Sequence, residues 1–277
     1  MKNKPILVIL LLLLVYGSEA QQNKFQLGIG YQRTWMLDKQ ASPLKYQSSE
    51  KTFSLGYTHT GSADKFNVQL NGALGKFFPT GFADRKWYNP GYNSDGSPKT
   101  DSGVLMGKIY NARFNMGYAR QVSSGFSMVD GKKWENRNYV GGSFSNQLFY
   151  TDNIVRNGWM NSSSINADFQ YDALYNSRHS FSVKILIPIF ARNTRLPYHN
   201  TVSSSTGEGH VKAILKQGSR FAWLGNFQNI QFDAGYEYAI NKNVGMGIHY
   251  FAQWLHYSYE KPINLFQNNI GITASIK

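Results

Sequence analysis

Three side chains near the C-terminal end of the chain have residue types and spacing that suit nucleophilic chemistry. The stretch HYSYE places His256, Ser258 and Glu260 at every second position, so an extended chain projects all three to one side. A serine activated by a histidine, with an acid to orient the ring, performs acyl transfer. The motif has only two essential residues, and polar residues are expected wherever a strand leaves a membrane. A hydrolase is therefore an alternative, and we expect that the protein is not an enzyme.

No other constellation points to catalysis, a metal or a cofactor. Proteolysis by an Asp pair and an Asp–His pair has candidate residues, but no spacing singles them out: Asp84, Asp95, Asp101, His199 and His210. The six histidines lack metal-ligand spacing and the chain has no cysteine. The GEG at 207–209 is typical of a flexible loop rather than of a phosphate cradle. We expect no cofactor and no metal.

A basic segment is a better binding candidate. Residues 191–222 contain one acid, Glu208, and five Lys or Arg residues that could contact lipopolysaccharide: Arg192, Arg195, Lys212, Lys216 and Arg220. Its stretch VKAILKQ suits one or two helical turns. Such cations bind lipopolysaccharide phosphates or an acidic partner. A solvated loop with no specific ligand is the alternative.

The first 20 residues have the pattern of a secretory signal peptide. Lys2 and Lys4 precede an uncharged run from Ile6 to Val15, and small residues follow up to Ala20. The run is shorter than the roughly 20 apolar residues of a membrane helix, which leaves an uncleaved anchor as the alternative. We expect residues 1–20 to be removed and 21–277 to form one domain.

Composition favours a β protein that meets a membrane. The chain has 277 residues, of which 16% are charged, with 18 Tyr, 18 Phe, 6 Trp and 26 Gly. After the signal, no apolar run is long enough for a membrane helix. The formal net charge of +13 is compatible with nucleic acid, but no basic run is interleaved with a recognisable binding motif. Outer-membrane lipid and lipopolysaccharide are the expected partners, with no nucleic acid.

Alternation of apolar and polar residues predicts the strands. In FQLGIGYQRTW, Phe25, Leu27 and Ile29 fall on one face of an extended chain, and glutamine, glycine and threonine fall on the other. Ten segments follow this rule. They are 25–35, 52–60, 65–75, 108–120, 138–150, 159–171, 181–189, 230–240, 244–254 and 266–277.

The polar faces decide between a soluble sandwich and a membrane barrel. A soluble sandwich exposes Lys and Glu to solvent on its outer face. The polar faces of the predicted strands carry mainly Gln, Asn, Ser, Thr and Gly instead, which pack inside a narrow lumen. Tyr and Trp recur towards the ends of the apolar faces, as in the girdles of membrane barrels. The sequence predicts an all-β, antiparallel up-and-down transmembrane barrel in the outer membrane, and a soluble β-sandwich remains the alternative.

Connection lengths predict the topology. Turns after the second, sixth and eighth strands are short, and long connections are expected at 36–51, 79–103 and 191–225. Long extracellular loops and short periplasmic turns are typical of these barrels. The segment 123–137 is long although it falls on the periplasmic side, so it could hide a strand or a short helix. About ten strands are expected, with 8–12 allowed.

A few charged residues fall on the inward faces of the predicted strands. They are Arg113, Asp168, Lys184, Asp233 and Glu237. A barrel of about ten strands has little free space inside, so these charges should pair within the lumen. We expect a lumen charge network formed by these five residues.

The chain resembles Gram-negative outer-membrane β-barrel proteins, of a Bacteroidetes-like kind. The resemblance is carried by SEA followed by QQ, by the hairpin GYEYAINKNVGMG at 235–247, by ASPLKY at 41–46 and by the terminal strand NNIGITASIK. The chain departs from the pattern by ending in Ile276 and Lys277 rather than in an aromatic residue. The resemblance implies the architecture and no particular activity.

Three functional hypotheses follow. The preferred one is a structural, binding or narrow-pore role in the cell envelope, with an envelope protein partner that the sequence does not identify. The second is a lipid A-modifying hydrolase, because His256 and Ser258 resemble the His-x-Ser pair of outer-membrane lipid A deacylases. The third is a porin-like solute channel.

Overall fold

The computed structural model describes residues 22–40, 42–81, 86–88, 91–98, 102–104, 106–154, 156–195 and 210–277. The expected signal peptide at 1–20 lies outside this part of the chain. The described residues form thirteen strands and one short helix. In chain order these are β1 (Gln22–Asp38), β2 (Lys45–Thr60), β3 (Asp64–Pro79), β4 (Lys86–Tyr88), β5 (Ser102–Val104), β6 (Gly107–Val129), β7 (Lys132–Ile154), β8 (Arg156–Tyr175), β9 (His179–Arg195), α1 (His210–Gly218), β10 (Ser219–Trp223), β11 (Phe227–Ala239), β12 (Val244–Tyr257) and β13 (Ile263–Ile276).

Ten of these strands form a closed antiparallel ring. Its order is β1, β2, β3, β6, β7, β8, β9, β11, β12 and β13, and β13 pairs again with β1. The closing pairs run from Phe25 opposite Ile276 to Asp38 opposite Ile263. A closed ladder satisfies the backbone N–H and C=O groups without water, as a lipid environment requires. The prediction of a ten-stranded up-and-down barrel is confirmed.

The remaining elements lie beyond the ring. β4 and β5 pair with each other, and β10 extends the sheet beside β9. The expected helical turns at VKAILKQ are present as α1, which ends at Gly218. A Cβ atom on Gly218 would lie 2.2 Å from the Arg195 carbonyl oxygen, so only glycine fits this close approach. No helix in the described part of the chain has the length and apolar character needed to cross a membrane.

The apolar faces of the ring point outward. Phe25, Leu27 and Ile29 are 55%, 59% and 66% exposed, whereas Gln32 and Thr34 on the opposite face are buried. Every ring strand contributes at least one large, outward and exposed apolar side chain. Examples in ring order are Leu27, Phe53, Leu70, Tyr118, Phe144, Ile165, Phe181, Ile230, Ile248 and Ile270. An apolar belt around a closed ring suits lipid and not water, so the sandwich alternative is wrong.

The long periplasmic segment at 123–137 is neither an extra strand nor a helix. β6 continues past β3 and turns into β7 at Asp130 and Gly131, which have φ angles of 50° and 71°. The register of β6 against β7 shifts between Gln121 and Ser123, and β7 stays paired with β8 as far as Trp134 opposite Tyr175. The strand count is therefore ten in the ring, without the two extra strands that the length of the segment allowed.

The first extracellular connection is shorter than the sequence predicts. Most of the expected loop at 36–51 is strand, because β1 continues to Asp38 and β2 begins at Lys45. Polar residues in this stretch misled the sequence reasoning, since Ser48 and Glu50 face the interior of the barrel rather than solvent. Part of the expected loops at 79–103 and 191–225 lies outside the described residues.

The end of the barrel that carries the longer connections is assigned to the cell exterior, and cysteine labelling tests this topology. The chain has no native cysteine, so each engineered one is unique. A membrane-impermeant maleimide applied to intact cells should label Tyr92→Cys, whose site lies between β4 and β5. It should not label Lys242→Cys, in the turn between β11 and β12, until the outer membrane is permeabilised. The opposite pattern would invert the orientation.

Candidate functional site

The lumen is divided into three layers along the barrel axis, and the layer at the extracellular end is apolar. Inward-facing side chains from all ten ring strands, together with Ala222 of β10, form one buried cluster. Its members are Met36, Tyr46, Phe77, Ile109, Phe149, Met160, Ala191, Ala222, Phe227, Leu255, Tyr257, Ile263 and Leu265. The rings of Tyr46 and Phe77 stack with centroids 5.0 Å apart. The sequence reasoning expected a polar lumen throughout, so this apolar layer was missed.

The middle layer is a network of amides and hydroxyls. Gln147 and Gln253 exchange hydrogen bonds, with 3.1 Å from Gln147 Nε2 to Gln253 Oε1 and 2.6 Å in the other direction. Gln253 Nε2 also donates to Asn229 Oδ1 at 2.6 Å, and Gln267 Nε2 donates to Thr34 Oγ1 at 2.9 Å. The Gln147–Gln253 contact crosses the lumen between β7 and β12, which are not neighbours, whereas the other two join adjacent strands. They tie the walls together and fill the space below the apolar layer.

One acid in this layer was not found from the sequence. Glu50 is fully buried and accepts hydrogen bonds from Gln32 Nε2 at 2.8 Å, from Thr34 Oγ1 at 2.6 Å and from the Ser48 hydroxyl. Three donors around one carboxylate offset part of the cost of removing it from water. Its spacing to Ser48 is typical of a strand, but the polar composition of 36–51 predicts a loop there.

Four of the five expected lumen charges interact with one another, because Asp233 interacts electrostatically with both Lys184 and Arg113 and Lys184 pairs with Asp168, whereas Glu237 has other partners. Lys184 Nζ lies 3.3 Å from Asp168 Oδ2, and Asp233 Oδ2 lies 2.8 Å from His249 Nε2. Glu237 lies between Lys24 and Lys277, which were not in the predicted set. The Arg113 guanidinium carbon lies 3.5 Å from the centroid of the Phe251 ring.

The third layer is a water-accessible chamber at the periplasmic end. It has a volume of about 800 Å³ and is lined by the periplasmic halves of the ring strands and by their turns. Lys184, Asp233 and Glu237 lie on its wall. Charged side chains are tolerated here because water reaches them, whereas the two layers above are packed.

The basic residues expected to contact lipopolysaccharide are divided by the structure. Arg195 points inward and is buried, where it pairs with Asp38 and donates to the Lys261 carbonyl oxygen at 2.7 Å. The other four are exposed at the extracellular end: Arg192, Lys212, Lys216 and Arg220. Arg220 Nε donates to the Tyr259 hydroxyl at 3.0 Å. Arg195 therefore stabilises the extracellular end of the barrel from inside, and the other four residues lie at the surface.

The His–Ser pair is not joined by a hydrogen bond. His256 Nδ1 lies 2.6 Å from Asn264 Oδ1, and the Ser258 hydroxyl donates to the Asn226 carbonyl oxygen at 3.4 Å. Glu260 lies in the next turn with a φ of 58°. The two candidate catalytic groups thus have other partners, and the ring of His256 stacks beside Trp254.

The candidate proteolytic residues are also not brought together by the described structure. Asp84, Asp101 and His199 lie outside the described residues. Asp95 Oδ1 accepts hydrogen bonds from the side chain of Ser97 at 2.6 Å and from its backbone at 2.9 Å, and these bonds lower the pKa of Asp95. Among the described residues, no group of His, Asp and Glu side chains could hold a metal ion.

Comparisons with known proteins give likenesses of fold only. No family model matches the chain, and no curated protein matches it. Among solved structures it is similar to the outer-membrane protease OmpT of Escherichia coli, with a TM-score of 0.45 and 7% identity over 95% of this chain and 98% of that one. It is also similar to the attachment invasion locus protein Ail of Yersinia pestis, with a TM-score of 0.29 and 10% identity over 92% of this chain and 99% of that one. For the P. putida toluene transporter TodX the TM-score is 0.28, with 9% identity over 94% of this chain and 89% of that one. All are Gram-negative outer-membrane β-barrels.

Breaking the pair between Lys184 and Asp168 tests the contribution of the lumen charges. Lys184→Met should lower the unfolding midpoint of the purified barrel, because it leaves the fully buried Asp168 carboxylate without its cation. A broken buried pair costs about 3–5 kcal/mol. The lower end is expected here, because Gln170 Nε2 still donates to both oxygens of Asp168 at 3.1 Å.

Heat-modifiable migration in detergent gels measures the midpoint. Adding Asp168→Asn to Lys184→Met should recover part of the loss, and Lys45→Met at the extracellular end is the control. An unchanged midpoint for Lys184→Met would mean that water solvates the two charges separately.

Proposed function

We propose that the protein is an integral outer-membrane barrel with a closed lumen, acting as a structural or binding component of the cell envelope. The observation that carries the proposal is the buried apolar layer at the extracellular end, centred on residues such as Phe77 and Leu255. Solutes and ions cross a barrel through a continuous aqueous path. A packed apolar layer above a layer of paired amides favours a barrel without such a path.

A catalytic role has less support than a binding role. His256 and Ser258 are bonded to Asn264 and Asn226, so the serine lacks the base that would activate it. The chamber of about 800 Å³ lies at the periplasmic end and opens away from the ester bonds of the outer-leaflet lipid. We therefore prefer a binding role, in which surfaces at the two ends of the barrel contact partners, to a catalytic role on lipid.

Conductance tests the closed lumen. In planar bilayers the unmodified protein should show no steady open-state conductance. The double variant Tyr46→Ala and Phe77→Ala should raise the conductance, because it removes two stacked rings from the apolar layer. Phe53→Ala, on the lipid-facing side of β2, is the matched control and should remain closed. A large conductance in the unmodified protein would reject the closed lumen and favour the channel hypothesis.

We also propose lipopolysaccharide as the partner of the extracellular end. Arg192 of β9 lies opposite Phe221 of β10 in the strand register. The rings of Phe221 and Phe190 stack on the outward side with their centroids 5.3 Å apart. Trp223, also outward, is 69% exposed. A guanidinium group among outward aromatic rings suits the boundary between phosphate groups and acyl chains. Lys212 and Lys216 on α1 add charge nearby.

Charge removal tests this partner. Arg192→Gln combined with Lys212→Gln and Lys216→Gln should reduce the lipopolysaccharide that co-purifies with the barrel in mild detergent several-fold. Arg178→Gln, in the turn between β8 and β9 at the periplasmic end, removes a charge from the other side and should have no effect. Equal retention by both proteins would mean that the basic residues are solvated and bind no specific ligand.

A further inference from the structure

We propose that the periplasmic chamber binds a soluble, multiply charged oxyanion through Lys24, Lys65 and Lys184. This inference names a ligand class for the chamber and rests on the proposed binding role of the closed barrel. The chamber of about 800 Å³ lies within the roughly 300–1,000 Å³ range of small-molecule sites. It is the part of the lumen that the packing leaves accessible to water.

The chamber wall carries an excess of positive charge. Seven Lys or Arg residues line it against four Asp or Glu residues, a difference of three positive charges. The cations are Lys24, Lys65, Arg137, Arg178, Lys184, Lys242 and Lys277, and the acids are Glu135, Asp172, Asp233 and Glu237. A concave wall with an excess of one sign concentrates ligands of the opposite sign.

Three of these lysines converge from strands that are not neighbours. Lys65 of β3 reaches across the lumen to β8, where its Nζ lies 2.7 Å from Asp172 Oδ2. Lys184 of β9 reaches the other way, and its Nζ donates to Asn67 Oδ1 of β3 at 2.7 Å. Lys65 repels both Lys24 and Lys184 electrostatically. An anion between the three ammonium groups would relieve this repulsion.

The carboxylates of the chamber do not match the cations one to one. Glu237 is shared by Lys24 at 3.4 Å and Lys277 at 3.5 Å. Both distances exceed the 2.7–3.2 Å of ordinary N–H···O hydrogen bonds, so neither ammonium group is tightly held. Asp172 is likewise bonded to Lys65 and lies opposite Arg137 in the β7–β8 register. Glu237 and Asp172 thus each face two cations, which leaves ammonium donors for a ligand, and Lys184 also pairs with Asp168 at 3.3 Å.

The surrounding wall indicates that the oxyanion is soluble. Strands β1, β2, β3, β9, β11, β12 and β13 pair continuously where they line the chamber. An acyl chain therefore has no lateral exit between these strands to the bilayer, which favours a soluble ligand over the headgroup of a membrane phospholipid. Phosphate oxygens suit ammonium donors. A polyphosphate or a phosphorylated small molecule that enters from the periplasm fits these constraints.

Calorimetric titration with inorganic tripolyphosphate tests the site. The full-length barrel in neutral detergent at low salt should bind it saturably, with one ligand per barrel. Lys65→Gln and Lys24→Gln should each weaken binding about tenfold or more, since each removes an ammonium ligand. Glu237→Gln should tighten binding, because it removes the acid that competes for Lys24 and Lys277. Phosphatidylglycerol added to the micelles should not displace the ligand.

Lys45→Gln is the matched control, since it makes the same charge change at the extracellular end and should leave the affinity unchanged. Heat-modifiable migration confirms that each variant is folded. Absence of saturable binding, equal weakening by Lys45→Gln and Lys65→Gln, or displacement by phosphatidylglycerol would each overturn the soluble-oxyanion site. Conductance is measured separately. A barrel that conducts and still binds tripolyphosphate would refute the closed lumen but not the oxyanion site.

Discussion

The closed ladder of backbone hydrogen bonds is the constraint on which the rest of this protein depends. Lipid offers no donors or acceptors, so each N–H and C=O group in the spanning region must bond to a neighbouring strand. The pairing of β1 with β13 meets this requirement by joining the two ends of the described chain, from Phe25 opposite Ile276 onward. Once the ring is closed, alternate residues must face either lipid or the lumen, and their chemistry separates accordingly.

Ring size then determines how the lumen is used. Ten strands enclose a space that side chains largely fill. At the extracellular end, packing apolar groups such as Phe77 and Leu255 against one another removes them from water, which contributes about 1.5–3 kcal/mol for each fully buried side chain. In the middle, buried amides such as those of Gln147 and Gln253 bond to one another. Near the periplasm, water offsets the desolvation of charges, and the ion pairs of Glu237 and Asp172 lie there.

This division assigns different chemistry to the two ends of the barrel. The extracellular end has an interior packed with apolar side chains, where Arg195 pairs with Asp38, and an exposed surface on which Arg192 lies among aromatic rings. The periplasmic end has the opposite character, because its interior is open and positively charged. The binding role that we propose uses one surface at the outer leaflet and one concave site at the periplasmic end, and neither requires transport through the lumen.

Local alternation in the sequence determined the β class, the ten ring strands and the faces that meet lipid, because a strand has a period of two residues and the membrane separates its faces strongly. It also indicated which charges point inward, including Lys184 and Asp168.

The sequence did not reveal Glu50, because polar residues nearby such as Ser48 are typical of a loop. Only the structure shows the three donors that surround this acid. The apolar seal and the convergence of Lys24, Lys65 and Lys184 depend on residues far apart in the chain. Ring closure and register bring these residues together, and no local pattern encodes such distances, so only the tertiary structure decided where the lumen is apolar and where it is charged.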